Sequence, residues 1–153
     1  MPRVHAGNRP RVAVGSGTVR AREVLTLLLI SGCLWRSYED IMEVHLQVLS
    51  SMAAKVVATA EGGRRPTSND VTELMYPVQR ARQFTHQYRG RAERESYRRF
   101  AAFLDRYQQF AEAIDAARGD AQRWTTVAAR LPDERRALVE AADEVRAALA
   151  AEK

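Results

Sequence analysis

The chain of 153 residues carries 24 basic and 19 acidic side chains, a formal charge of +5, and one cysteine. That length holds one domain with a real core, and a lone cysteine excludes an intrachain disulfide, so the fold must rest on apolar burial. Residues 1–32 hold five arginines against one acid, Glu23, which leaves 19 basic and 18 acidic residues for 33–153. The net +1 of that remainder gives no general electrostatic case for nucleic acid, and none is expected as a partner.

Residues 1–19 contain Pro2, Gly7, Pro10, Gly15 and Gly17 with no apolar period, which predicts disorder. They are long for the head of an export signal. Translation from a valine codon at Val19 would leave Val19 to Glu23 as an ordinary short basic head, which N-terminal sequencing of unprocessed precursor would establish. Arg20 and Arg22 then precede the apolar run Val24 to Ile30, and Ser31-Gly32 supplies small residues before Cys33. A basic head, an apolar stretch and a small-residue site are the parts of an export signal. The competing reading, the buried face of an N-terminal helix, fits less well because only Thr26 is polar and the run stops at the cysteine. Val24 to Trp35 is also short of the ~20 apolar residues that cross a bilayer as a helix.

The motif Ile30-Ser31-Gly32-Cys33 resembles the lipobox of bacterial lipoprotein precursors. The resemblance implies that the Cys33 thiol receives a diacylglycerol, that the chain is cut before it, and that the new amino terminus is acylated. It divides the chain into a lipoprotein signal peptide, 1–32, and a body, 33–153, with the lipid on Cys33 as the only prosthetic group expected. Leu34 stands where an aspartate would resemble an inner-membrane retention signal, so the resemblance points to the outer membrane, facing the periplasm. Leu34 and Trp35 suit headgroup depth or, for Trp35, packing on the end of the body.

In the body, Ser37 followed by Glu39 and Asp40 reads as a helix cap with acids in the first turn. The first helix is expected from Ser37 to Ala60, with Ile41, Val44, Val48, Met52 and Val56 inward. Glu61 to Pro66 breaks it, and Thr67-Ser68-Asn69-Asp70 offers caps for a second helix. Its inward stripe is Val71, Leu74, Val78, Ala81, Thr85 and Tyr88, and Pro77 should kink it. Gly90 marks a turn into a third helix with Tyr97, Phe100, Leu104, Tyr107, Ala111 and Ile114 inward and Phe103 and Phe110 on the flank. Gly119-Asp120 is a stop and a cap for a fourth helix that carries Trp124, Val127 and Leu131. Leu131-Pro132-Asp133-Glu134 restarts it, and Leu138, Ala142, Val145 and Leu149 continue its buried side. No segment alternates as a strand should and the connections are short. The expected fold is all-α, an antiparallel up-down four-helix bundle after the N-terminal signal segment.

Two arrangements stand above background. His45 falls on the apolar stripe of the first helix and lies level with His86 across the expected hairpin, a candidate metal or haem pair. Against it, His86 turns onto a polar flank with Gln79, Arg82 and Gln83, and the Glu-x-x-His unit of di-iron bundles and the Cys-x-x-Cys-His of haem attachment are both missing. The other is an arginine cluster, 80, 82, 89, 91, 94, 98 and 99, about the second turn. If Cys33 is anchored, that turn shares the membrane end, and Arg89, Arg91, Arg94, Arg98 and Arg99 are candidate contacts for lipid headgroups. A solvated basic turn is the plainer alternative. No nucleophile set, phosphate loop or paired-acid site can be argued from spacing, so no enzyme is expected. The expected role is a lipid-anchored envelope protein that binds or scaffolds. Its partners are membrane lipid through Cys33 and another envelope protein; the alternatives are a haem- or metal-binding bundle and a periplasmic chaperone or stress sensor.

Overall fold

The computed structural model describes residues 37–153. The signal segment, Cys33, Leu34 and Trp35 lie outside the described residues. Among those described, every regular element is helical: α1 (Tyr38–Glu61), α2 (Ser68–Gln87), a 3-10 turn (Arg89–Arg91), α3 (Glu95–Arg118), α4 (Ala121–Ala128) and α5 (Leu131–Ala151).

Local chemistry sets most of these boundaries. Ser37 accepts from the Asp40 amide at 3.1 Å while Asp40 Oδ2 accepts from the Ser37 amide at 3.3 Å, a reciprocal capping box. Thr67 and Asp70 repeat the device at the head of α2. α1 ends where Gly63, at φ 73°, adopts the left-handed conformation and the Arg64 amide turns back to the Thr59 carbonyl at 3.1 Å. A Cβ would disfavour that conformation, so glycine is suited to this stop. Asp120 Oδ1 accepts from the amides of Gln122 and Arg123 and starts α4. The expected fourth helix is divided at Ala129-Arg130, because Pro132 has no N–H to return to the Ala128 carbonyl. α2 runs unbroken across Pro77.

The helices share one core. α1 packs against α2 and α5, and α3 against α2, α4 and α5. Along α2 and α5 the buried residues include the expected Val71, Leu74, Val78 and Ala81, and Leu138, Ala142, Val145 and Leu149. Along α3 the interior is wider than expected: Phe103 and Phe110 are buried beside Phe100, Leu104 and Tyr107. Neighbours on three sides leave this helix no apolar flank, whereas Tyr97 is only half-buried and donates its hydroxyl to the Thr85 carbonyl at 3.1 Å.

The inward face of α1 differs from expectation. Met42, Leu46, Leu49, Ala53 and Val57 are buried, while Val44 and Val48 are 39% and 38% exposed and Ile41 and Met52 are half-buried. α1 is apolar on two adjacent faces, so helical period fits both. The bulkier Met42-Leu46-Leu49 row fills the space between α2 and α5. The same composition makes α1 long and apolar enough to cross a membrane, a property that a core helix of a folded domain shares.

Tyr107 is fully buried and its hydroxyl has no partner among the described residues; burial also pushes its phenol pKa up. Such a hydroxyl has lost its hydration without replacement. Tyr107→Phe keeps the ring, so urea denaturation should show unchanged stability or a gain of up to ~1 kcal/mol.

Candidate functional site

The α2–α3 turn and the head of α1 meet at one end of the fold, where the arginine cluster is held by aromatic rings and carboxylates. Tyr38 stacks on Phe84 with ring centroids 5.6 Å apart, and Tyr88 lies 5.3 Å from Tyr38 and 4.8 Å from Phe84. The Arg91 guanidinium lies 4.6 Å from the Tyr38 ring centroid and 5.9 Å from that of Tyr88, with Nη1 3.5 Å from Glu39 Oε1. A guanidinium over two rings and beside a carboxylate ties the turn to α1 through both its face and its edge.

The other arginines are paired in turn. Arg94 lies 3.6 Å from Glu39 and 3.8 Å from Glu152. Arg98 and Arg99 share Glu95 at 2.8 and 2.7 Å, and Arg99 also reaches Glu144 on α5 at 3.0 Å. Hydrogen bonds from Arg98 and Arg99 hold the Glu95 carboxyl below its ordinary pKa. Arg82 bridges to Asp105 at 2.7 Å and to the Gln108 side chain on α3. Of the five candidate headgroup contacts, only Arg89 forms no ion pair among the described residues.

At this end α3 begins without a local cap. Arg94, in the cap position, makes no side-chain bond to the helix. Instead Glu152, at the end of α5, accepts from the Ser96 amide at 2.8 Å and the Ser96 hydroxyl at 2.6 Å. A carboxylate at a helix N-terminus satisfies orphan amides and complements the dipole. Burial opposes the charged form of Glu152, but the two Ser96 bonds and Arg94 outweigh it and hold its pKa low.

The two histidines are not brought into one pocket. His45 is half-buried against Phe84, ring centroids 5.2 Å apart, with Phe100 at 6.4 Å, while His86 is exposed. His45 lines an open groove of about 360 Å³ between α1 and α2, whose walls are Ile41, Arg80, Gln83, Phe84, Gln87 and Tyr88. Burial, and then the charge of Arg80, lowers the His45 pKa. Among the described residues no three His, Cys, Asp or Glu side chains are grouped to hold a metal ion.

No protein-family model matches the chain, and no curated protein or solved structure matches it. Any functional reading therefore rests on the sequence itself and on the arrangement of the side chains. The arginine run was visible as composition, but its pairing with Glu39, Glu144 and Glu152 spans 45 to 58 positions and had no local signal. Arg80 was visible only as a member of that run, and its place beside His45 was not.

Proposed function

We propose that the chain is a lipid-anchored protein of the bacterial cell envelope whose helical body binds or scaffolds a neighbouring envelope protein, without catalysis. The observation that carries the reading is Ile30-Ser31-Gly32-Cys33 behind a basic, apolar segment. A diacylglycerol and an amide-linked acyl chain on Cys33 would anchor stably where one chain would be marginal. Cys33 lies four residues before the cap Ser37, and four extended residues reach no more than ~14 Å, so the body would stand close to its membrane.

The body in this proposal is an antiparallel up-down four-helix bundle, with α4 and α5 together as its fourth side. Supporting it are contacts in which one residue number rises as the other falls. Tyr38 meets Tyr88 and Lys55 meets Glu73 between α1 and α2; Thr85 meets Tyr97 and Arg82 meets Asp105 between α2 and α3. Between α3 and α5, Ser96 meets Glu152 and Arg99 meets Glu144. The arginine turn then shares the anchored end with Ser37, and headgroup contact falls first to Arg89, whose charge is not already offset by a carboxylate of the fold.

Mass spectrometry of protein recovered from membranes of the producing cell should find an N-terminus at Cys33 carrying a diacylglycerol and an acyl chain. Cys33→Ala should remain uncleaved and lack both lipids. An intact upstream N-terminus with a free Cys33 thiol in the native protein would overturn the anchor.

A further inference from the structure

We propose that the groove between α1 and α2 binds an amphipathic anion, a carboxylate on a flat apolar body, with the carboxylate between His45 and Arg80 and the body over Ile41, Phe84 and Tyr88. This inference does not depend on the lipid anchor.

The donor set selects the charge. Arg80 is exposed and forms no ion pair among the described residues, unlike Arg82, Arg91, Arg94, Arg98 and Arg99 nearby in sequence. Its guanidinium stands 6.0 Å from the Tyr76 ring centroid, and no acid lines the groove. A cation, whether a metal or an amine, would meet Arg80 with no carboxylate to offset the repulsion. An anion would gain a charge-assisted bond from Arg80 and hydrogen bonds from His45 and from the side-chain amides of Gln83 and Gln87.

The floor selects the body. Phe84 is buried beneath the groove, 5.2 Å from the His45 ring and 4.8 Å from that of Tyr88, so it backs the two partly exposed rings that a flat body would meet. The volume of about 360 Å³ lies within the usual range for small-ligand sites. His45, Arg80, Gln83 and Gln87 make up the larger, polar part of the groove, with Ile41, Tyr88 and the edge of Phe84 as its smaller apolar part, a division that suits a molecule with one charged and one apolar end.

Binding should also take up a proton. Burial, and then the charge of Arg80, lower the His45 pKa in the free protein and so favour the neutral ring. α2 contributes Arg80 as the charged group acting on the imidazole, α3 presents Phe100, and α1 presents Ile41 beside it in the groove. A carboxylate beside the ring favours the imidazolium, so the His45 pKa rises on binding and affinity increases as pH falls toward that value.

The test uses the full 153-residue chain, with 2-naphthoate as the probe and 2-naphthylmethanol as its neutral match. Calorimetry should show the naphthoate binding about fivefold or more tighter than the alcohol, and Arg80→Gln should reduce that difference while leaving the alcohol's affinity unchanged. Imidazole resonances of His45, but not of His86, should shift, and the His45 titration should move to higher pH in the complex. His45→Gln, checked by circular dichroism for folding, should retain binding but lose the proton uptake. Equal affinity for acid and alcohol, a naphthoate affinity untouched by Arg80→Gln, or naphthoate that fails to bind or leaves His45 unshifted would each overturn the proposal.

Discussion

Phe100→Ala should lower stability by about 3–5 kcal/mol, the largest loss expected from one substitution in this fold. Phe100 is fully buried on α3, 6.2 Å from the rings of both Phe84 and Phe103 and 6.4 Å from His45. Truncation removes the apolar surface that joins α3 to α2 and α1 and leaves a cavity that three helices must collapse together to fill. Against a total of ~5–15 kcal/mol for a domain, such a loss brings the protein near its folding threshold. Leu46→Ala on α1 should cost ~2–5 kcal/mol for the same reason. Val48→Ala should stay within ~1 kcal/mol, because that side chain is already 38% exposed. Urea denaturation of the two α1 variants therefore tests which face of that helix is the core. A Val48 variant as damaging as the Leu46 variant would mean that the helix is rotated from its assigned face.

Glu152→Ala should cost ~1–3 kcal/mol at neutral pH, a large effect for a residue just past the end of its helix. Ser96 is fully buried, and its amide and hydroxyl both donate to this carboxylate. Removing the acceptor strands both donors and leaves the start of α3 uncapped. Glu152→Gln retains an acceptor oxygen and should lose less. The pH dependence has a definite sign. The folded-state pKa of Glu152 is depressed, against burial, by Ser96 and Arg94. Its contribution is therefore fully present above the ordinary glutamate value of 4.5 and is lost as pH falls through the lower folded value. The gap in denaturation midpoint between the native chain and Glu152→Ala should narrow in acid. A gap that holds constant well below pH 4.5 would show that the carboxylate charge is not what secures the contact.

The carboxylates of Glu39, Glu95, Asp70 and Asp120 are depressed in the same direction. All stand in the first turn of a helix or at its cap, where backbone amides or arginines favour the charged form. Acid should thus act first on the helix starts, ahead of the apolar interior.

The sites divide along similar lines. His45 attracted attention as an imidazole among apolar residues, and the arginine run as an excess of one charge; both are properties of composition along one helix or turn. What each group faces is a property of the neighbouring helix. His45 meets Phe84 and shares its groove with Arg80 rather than His86, and Arg91, Arg94 and Arg99 meet carboxylates on α1 or α5, whereas Arg98 pairs locally with Glu95.

By itself, the sequence determined that the body is helical and where most of its helices begin and end. Ser37, Thr67 and Asp120 cap amides two or three residues ahead, and Gly63 and Pro132 act through their own backbone, so these choices close within one turn of chain. It also determined the buried faces of α2 and α5, each of which has a clear apolar stripe. Tertiary structure alone decided between the two apolar faces of α1, because periodicity admits both and only the space between α2 and α5 selects the larger side chains. It alone supplied the cap of α3, since the carboxylate that meets Ser96 lies 56 residues away and no local pattern can encode a bond that exists only once α5 has packed.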